Sequence, residues 1–210
     1  MTVSDEPASY RVSGGAERFT GRVIAVRTDS VEMPAGHLVE RDVVVHPGAV
    51  GVIALDEQDR VLLVQQYRHA PGRLLWEPPA GLLDAPGEPP QATAARELYE
   101  EAGYRATEWD VLVDFFTSPG MSDEAMRVYL ARGLTAVADG QRFAGEDEEA
   151  DMPAVWLPLE TAVAKVLSGQ LHNPTTVAGV LAVAAARASG YATLRPADTP
   201  WPERPTGART

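Results

Sequence analysis

The chain has 210 residues, no cysteine and a formal net charge of −12, from 30 acidic and 18 basic side chains. That length suits one ordinary domain with room for an added element. The absence of cysteine excludes disulfides and thiolate metal sites, and the acidity argues against a broad nucleic-acid-binding surface. No apolar run reaches the roughly 18 residues of a membrane span, and the opening MTVSDEPASY has no signal-peptide pattern, so a cytoplasmic protein with no membrane partner is expected.

Residues 1–17 are polar and expected to be mobile. ERFTGRVIAVRTDSVEM (17–33) and GHLVERDVVVHPG (36–48) predict an antiparallel pair around the turn signal MPAG. AVGVIALDEQDRVLLVQQYRH (49–69) predicts a hairpin turning at DEQD, and LLWEPPAG (74–81) a short extended piece. PPQATAARELYEEAG (89–103) reads as one helix, with Pro89 or Pro90 in its first turn and Gly103 as its C-terminal cap. Two further strands are predicted at 109–120 and 124–134, then a strongly acidic loop, DGQRFAGEDEEAD (139–151). AVWLPLE (154–160) predicts a strand ending at Pro158 and leading into a helix through Ser168. NPTTVAGVLAVAAARASG (173–190) carries strong helix signals, with Asn173 as N-cap and Pro174 at the first helical position. The four prolines of 195–210 suggest a disordered or extended tail. The expected organisation is an N-terminal β element (1–47), one α/β domain with a mixed sheet (48–190) and a proline-rich tail (191–210).

The helix at 89–103 poses a charge problem. At roughly 100° per residue, Ala94, Ala95, Leu98 and Ala102 form an apolar face, and Glu97, Glu100 and Glu101 share the adjoining one. Like charges at these spacings repel by roughly 0.2–0.5 kcal/mol per pair. Glu100 and Glu101 also sit near the negative end of the helix dipole, at a further cost of roughly 0.3–1 kcal/mol each. Arg96 pairs with Glu100 at i+4, which relieves one of the three. The arrangement makes sense if a cation binds there.

The stretch GLLDAPGEPPQATAARELYEEAGY (81–104) resembles the box of the Nudix hydrolase family, G-x5-E-x7-R-E-U-x-E-E-x-G-U with U apolar. The match runs through Gly81, Glu88, Arg96, Glu97, Leu98, Glu100, Glu101 and Gly103. Two positions depart from it: the loop before Glu88 is one residue longer, and Tyr104 stands where an aliphatic residue is usual. The resemblance implies a Nudix-type α/β/α sandwich with a mixed sheet, preceded by the antiparallel β element. It also implies Mg²⁺, with Mn²⁺ as the alternative, held by Glu97, Glu100, Glu101 and the main-chain carbonyl of Ala80. Arg96 would orient the glutamates, while Glu88, Gly81 and Gly103 would be structural.

Outside the box, VQQYR (64–68) and WEPPAG (76–81) resemble the ADP-ribose pyrophosphatase branch, which implies that Arg68 and Glu77 help hold the substrate. SPGMSDE (118–124) resembles that branch's downstream proline signature, with Met121 as a substrate contact. ERDVVVHPGAV (40–50) resembles the segment before its core domain, and Arg41 would reach a phosphate across a homodimer interface. In the acidic loop a glutamate would accept the proton of the attacking water; Glu148 is the first choice and Glu149 the second. The function implied is hydrolysis of ADP-ribose to AMP and ribose 5-phosphate. The alternatives are a broader nucleoside-diphosphate-sugar or dinucleotide pyrophosphatase and a non-catalytic ADP-ribose-binding module. His37, His46, His69 and His172 show no ligand spacing.

Overall fold

The computed structural model describes residues 3–138 and 152–205. The chain divides into two compact units, one formed by the residues through Pro47 together with Ser118–Glu124, the other by Gly48–Thr117 and Ala125–Arg204.

The first unit is a three-stranded antiparallel sheet in the order β1 (Val12–Thr20), β2 (Ala25–Glu32), β3 (Leu38–Val45). The β2–β3 pair forms around MPAG as expected. β1 is a correction to the mobile start: it pairs with β2 from Val12↔Val31 to Thr20↔Ala25. Every residue of β1 is exposed, so the strand has no buried face to betray itself by alternation. A polar line crosses the sheet, with Arg18 Nε donating to Thr28 Oγ1 at 2.9 Å and the Thr28 hydroxyl to Asp42 Oδ1 at 2.6 Å.

The second unit holds two sheets and three helices among the described residues. A five-stranded mixed sheet runs β11 (Arg195–Pro196), β8 (Tyr104–Phe116), β9 (Ala125–Ala136), β4 (Ala49–Ala54), β7 (Ala80–Leu82), with β4 and β9 parallel and the other pairs antiparallel. A smaller antiparallel sheet runs β10 (Ala154–Pro158), β5 (Arg60–Arg68), β6 (Arg73–Glu77). The helices are α1 (Pro90–Ala102), α2 (Leu159–Leu167) and α3 (Pro174–Ala188). The Asn173 side chain caps α3 by accepting from Thr176 N–H.

The expected hairpin at 49–69 is a correction too. The turn at DEQD forms, closed by an isolated bridge, Leu55↔Val61, but β4 and β5 part into different sheets. All six residues of β4 are buried; such a strand needs partners on both edges and cover on both faces. One face of its sheet packs Ile53, Val128 and Leu130 against Leu159, Val180 and Val183. The other packs Val50, Val52, Val111 and Tyr129 against Ala94 and Leu98 of α1. The unit is therefore the α/β/α sandwich that the sequence led us to expect.

Of the disordered or extended tail that the sequence suggests, the described part, 191–205, includes an extended strand. β11 pairs with β8, and the backbone beyond it meets a buried cation. Arg127, 2% exposed, donates to Asp114 at 2.8 and 3.0 Å, to Thr199 O at 2.7 Å and to Pro200 O at 3.3 Å. The Trp201 ring lies 4.7 Å from its guanidinium carbon. Burial works against the Arg127 charge, but Asp114 outweighs it and raises its pKa.

Candidate active site

The site is built on α1. Pro89 is extended and Pro90 opens the helix, where its missing N–H costs nothing. Gly103 ends it in the left-handed region (φ 68°, ψ 32°), its N–H returning to the carbonyls of Leu98 and Tyr99. Thr93, Ala94 and Leu98 are the buried residues. Ala95, expected on the apolar face, is exposed.

Arg96 does more than its i+4 pairing suggests. It meets Glu100 Oε2 at 2.9 Å, Glu97 Oε1 at 2.8 Å and Glu88 Oε2 at 3.2 Å. Its Nε also donates to Glu88 Oε1 at 3.3 Å, and the Thr93 hydroxyl to Glu88 Oε2 at 2.8 Å. Those bonds, Arg96 first, hold the Glu88 carboxyl below the usual range, and the bond to Glu88 raises the Arg96 pKa in turn. Sequence reasoning missed Thr93, whose spacing from Glu88 across the helix start gives no signal. Arg96 thus stands among the carboxylates of Glu88, Glu97 and Glu100.

Strand β7 lies against this glutamate face. Ala80 N–H donates to Glu101 Oε2 at 3.0 Å. A Cβ on Gly81 would stand 2.0 Å from Glu97 Oε1, so the box glycine leaves the space that the Glu97 carboxylate occupies. β7 is registered on buried β4 through Val50↔Gly81 and Gly51↔Ala80, which ties the loop side of the site to the core.

Among the described residues no three His, Cys, Asp or Glu side chains converge as a metal cluster. Instead, Arg96 and Ala80 N–H donate to the glutamates. The donor set still fits a hard divalent cation: three carboxylates on successive turns of one helix, a strand carbonyl beside them, and no nitrogen or sulfur ligand. Glu97, Glu100, Glu101 and the Ala80 carbonyl are the atoms that could hold it.

Arg68 and Glu77 are brought together across β5 and β6. Arg68 Nη2 donates to Glu77 Oε2 at 2.6 Å and its Nε to Glu77 Oε1 at 3.0 Å. Glu77 is 2% exposed; this two-pronged pairing is what makes burial of its charge tolerable. Arg41 and Met121 both belong to the first unit; Arg41 is exposed on β3 opposite Asp29, and Met121 is exposed in the 118–124 segment. Glu148 and Glu149 lie outside the described residues.

Tyr104, the departure at the end of the box, has a local reason. Its hydroxyl accepts from Trp156 Nε1 at 3.2 Å, and the two rings meet edge to face at 5.4 Å. Both line a cavity of about 800 Å³ that includes Asp56, Arg60 and Arg132 but none of the box glutamates. The carboxylate chemistry, rather than this hollow, marks the candidate site.

The NUDIX domain family model matches residues 45–176. The chain is 52% identical over 187 residues to the ADP-ribose pyrophosphatase of Mycobacterium tuberculosis (strain ATCC 25618 / H37Rv), covering 89% of this chain and 88% of that one. It is 38% identical over 162 residues to the methanol dehydrogenase activator of Bacillus methanolicus, covering 77% and 85% respectively. A solved structure described as "Crystal structure of ADP compounds hydrolase" matches with a TM-score of 0.72 at 21% identity, covering 90% of this chain and 100% of that one. At that identity the match speaks for the fold alone.

Proposed function

The chain belongs to the NUDIX family, and we propose that it is an Mg²⁺-dependent hydrolase cleaving ADP-ribose to AMP and ribose 5-phosphate. The observation that carries the reading is the glutamate face of α1, with Glu97, Glu100 and Glu101 gathered on one side of the helix and packed against β7. The 52% identity over most of both chains to an ADP-ribose pyrophosphatase supports this choice of substrate.

In this reading Glu97, Glu100, Glu101 and the Ala80 carbonyl hold the ion, Mn²⁺ being the alternative. When bound, the ion neutralises the pyrophosphate and lowers the pKa of water. Arg96 keeps Glu97 and Glu100 on one side of the helix, and Gly81 leaves room for the Glu97 carboxylate. Arg68, oriented by buried Glu77, and Arg41 offer cationic contacts for the substrate, and Met121 an apolar one. Glu148, or else Glu149, takes the proton of the water that attacks phosphorus. The bridging oxygen leaves on the departing phosphate as the P–O bond breaks.

A homodimer belongs to the same proposal. The N-terminal sheet exposes Val12 (54%), Phe19 (56%) and Leu38 (60%), apolar surface of the kind that a second copy covers. So does the cytoplasmic setting expected from the sequence.

A second reading is a broader nucleoside-diphosphate-sugar or dinucleotide pyrophosphatase. It is favoured by the 32% identity over 139 residues to the GDP-mannose pyrophosphatase of Citrobacter koseri (strain ATCC BAA-895 / CDC 4225-83 / SGSC4696), since likeness within the family does not by itself choose a substrate. A non-catalytic module has less support, because every box carboxylate is retained. Chromatography of products from ADP-ribose and from UDP- and GDP-sugars, with Mg²⁺ and with a chelator, tests all three. AMP and ribose 5-phosphate formed only with metal, and faster than any sugar nucleotide is cleaved, is the expected result. Comparable turnover of all substrates supports the second reading, and binding without turnover the third.

A further inference from the structure

Strand β3 is an edge of its sheet, and edge strands leave a row of backbone groups to be satisfied. Here the row is filled by the segment 118–124, which joins β8 to β9 in the sequence. Val44 N–H donates to Met121 O at 2.8 Å, and Val44 O accepts from Asp123 N–H at 3.2 Å, a parallel bridge centred on Ser122. Two residues on, His46 N–H points to the same edge. The Asp123 side chain substitutes for the next strand residue, its Oδ1 accepting from His46 N–H at 2.9 Å. His46 Nδ1 also stands 3.7 Å from Glu124 Oε1.

The segment is braced internally as well. Ser118 O accepts from Met121 N–H at 3.0 Å and from Ser122 N–H at 2.9 Å. Ser122 Oγ accepts from Glu124 N–H at 3.1 Å. All this ordering ends in a Met121 side chain that is 60% exposed. An exposed side chain on a backbone so thoroughly pinned is the arrangement of a contact residue on a rigid support.

We propose that Asp123 is a positioning residue for substrate affinity. By capping the edge of β3 it fixes the segment that carries Met121 and so helps to set KM. The proposal rests on the reading of Met121 as a substrate contact. Asp123 itself touches no substrate.

The test compares Asp123→Ala with Asp123→Asn in the full chain. Alanine removes the acceptor, whereas asparagine keeps a side-chain oxygen for His46 N–H. The expected result is a rise of roughly tenfold in KM for ADP-ribose in the alanine variant, with kcat within about twofold, since freeing a loop weakens uniform binding. Asparagine should restore KM to near the wild-type value. Hydrogen exchange at the His46 and Asp123 amides should speed up in the alanine variant and not in the asparagine variant. Unchanged KM and exchange in Asp123→Ala overturn the proposal. So does equal damage in both variants with lowered thermal stability, which marks a merely structural charge. If the wild-type protein turns over no nucleoside diphosphate, the functional reading is what fails, and the exchange measurement alone decides whether Asp123 anchors the segment.

Discussion

Two arginines organise the second unit in opposite ways. Arg127 is 2% exposed and gathers one carboxylate, two backbone carbonyls and an aromatic ring. Asp114 is further balanced by Arg195 at 2.9 Å. Arg96 has a side chain 36% exposed and meets three carboxylates, with Glu101 a turn away held by a backbone N–H. The first cluster is closed, its cations at least matching its anions, and nothing about it invites a ligand. The second is partly open, with its carboxylates crowded along one helix face. Burial with balance reads as stability, and partly exposed carboxylates crowded on a rigid helix read as chemistry.

The contrast breaks most sharply at Glu101. Glu101→Gln should cut metal-dependent turnover by more than about 100-fold, the upper range of what even an outer partner of a metal costs, with the melting temperature little changed. Near-normal steady-state turnover would remove Glu101 from the metal shell. Arg127→Met should do the reverse. Leaving Asp114 and two carbonyls short of their donor is expected to cost about 3–5 kcal/mol of stability, measured by urea unfolding, while kcat per folded molecule holds. A stable protein with lost kcat would reverse the roles given to the two arginines.

Gly81→Ala sharpens the picture on the site side. The added methyl meets the Glu97 carboxylate, the far end of a flexible side chain, at 2.0 Å. The glutamate should yield rather than the backbone, so kcat should fall by roughly tenfold or more with only a small change in melting temperature. A large loss of stability would show β7 giving way instead. The smallest effect is at Glu88. Folding lowers its pKa through Arg96 and Thr93, so its contribution is complete above the ordinary carboxylate value of about 4.3 and is lost as pH falls through the lower folded value. The stability gap between wild type and Glu88→Gln, followed by thermal melts from pH 7 downward, should be widest at neutral pH and close in acid. A gap that persists unchanged at low pH would show that the Glu88 charge plays no part.

The same contrast explains what the sequence made legible. The glutamate cluster on α1 is written in one short stretch, so spacing alone revealed the helix, its cap at Gly103 and its three glutamates. The N-cap at Asn173 is equally local. The closed cluster is not local: Arg127 meets Thr199 and Pro200, more than seventy residues on, and a proline-rich composition hides a segment held through its carbonyls. β1 was illegible because no face of it is buried. The splitting of β4 from β5 was illegible because two apolar strands around a good turn look alike whether they pair or part; only the parallel partner β9 decides. At the site, the Arg96–Glu88 contact, eight residues apart across the entry to the helix, lay beyond i+4 reasoning.

The central claim is that the clustered carboxylates of α1 seat a divalent cation. Titrating Mn²⁺ into the purified protein, with free ion followed by electron paramagnetic resonance, tests it without reliance on any substrate. Saturable binding in the wild-type protein that is lost or greatly weakened in Glu101→Gln is the predicted result. Equal binding in the two proteins, or none in either while both are folded, would contradict it.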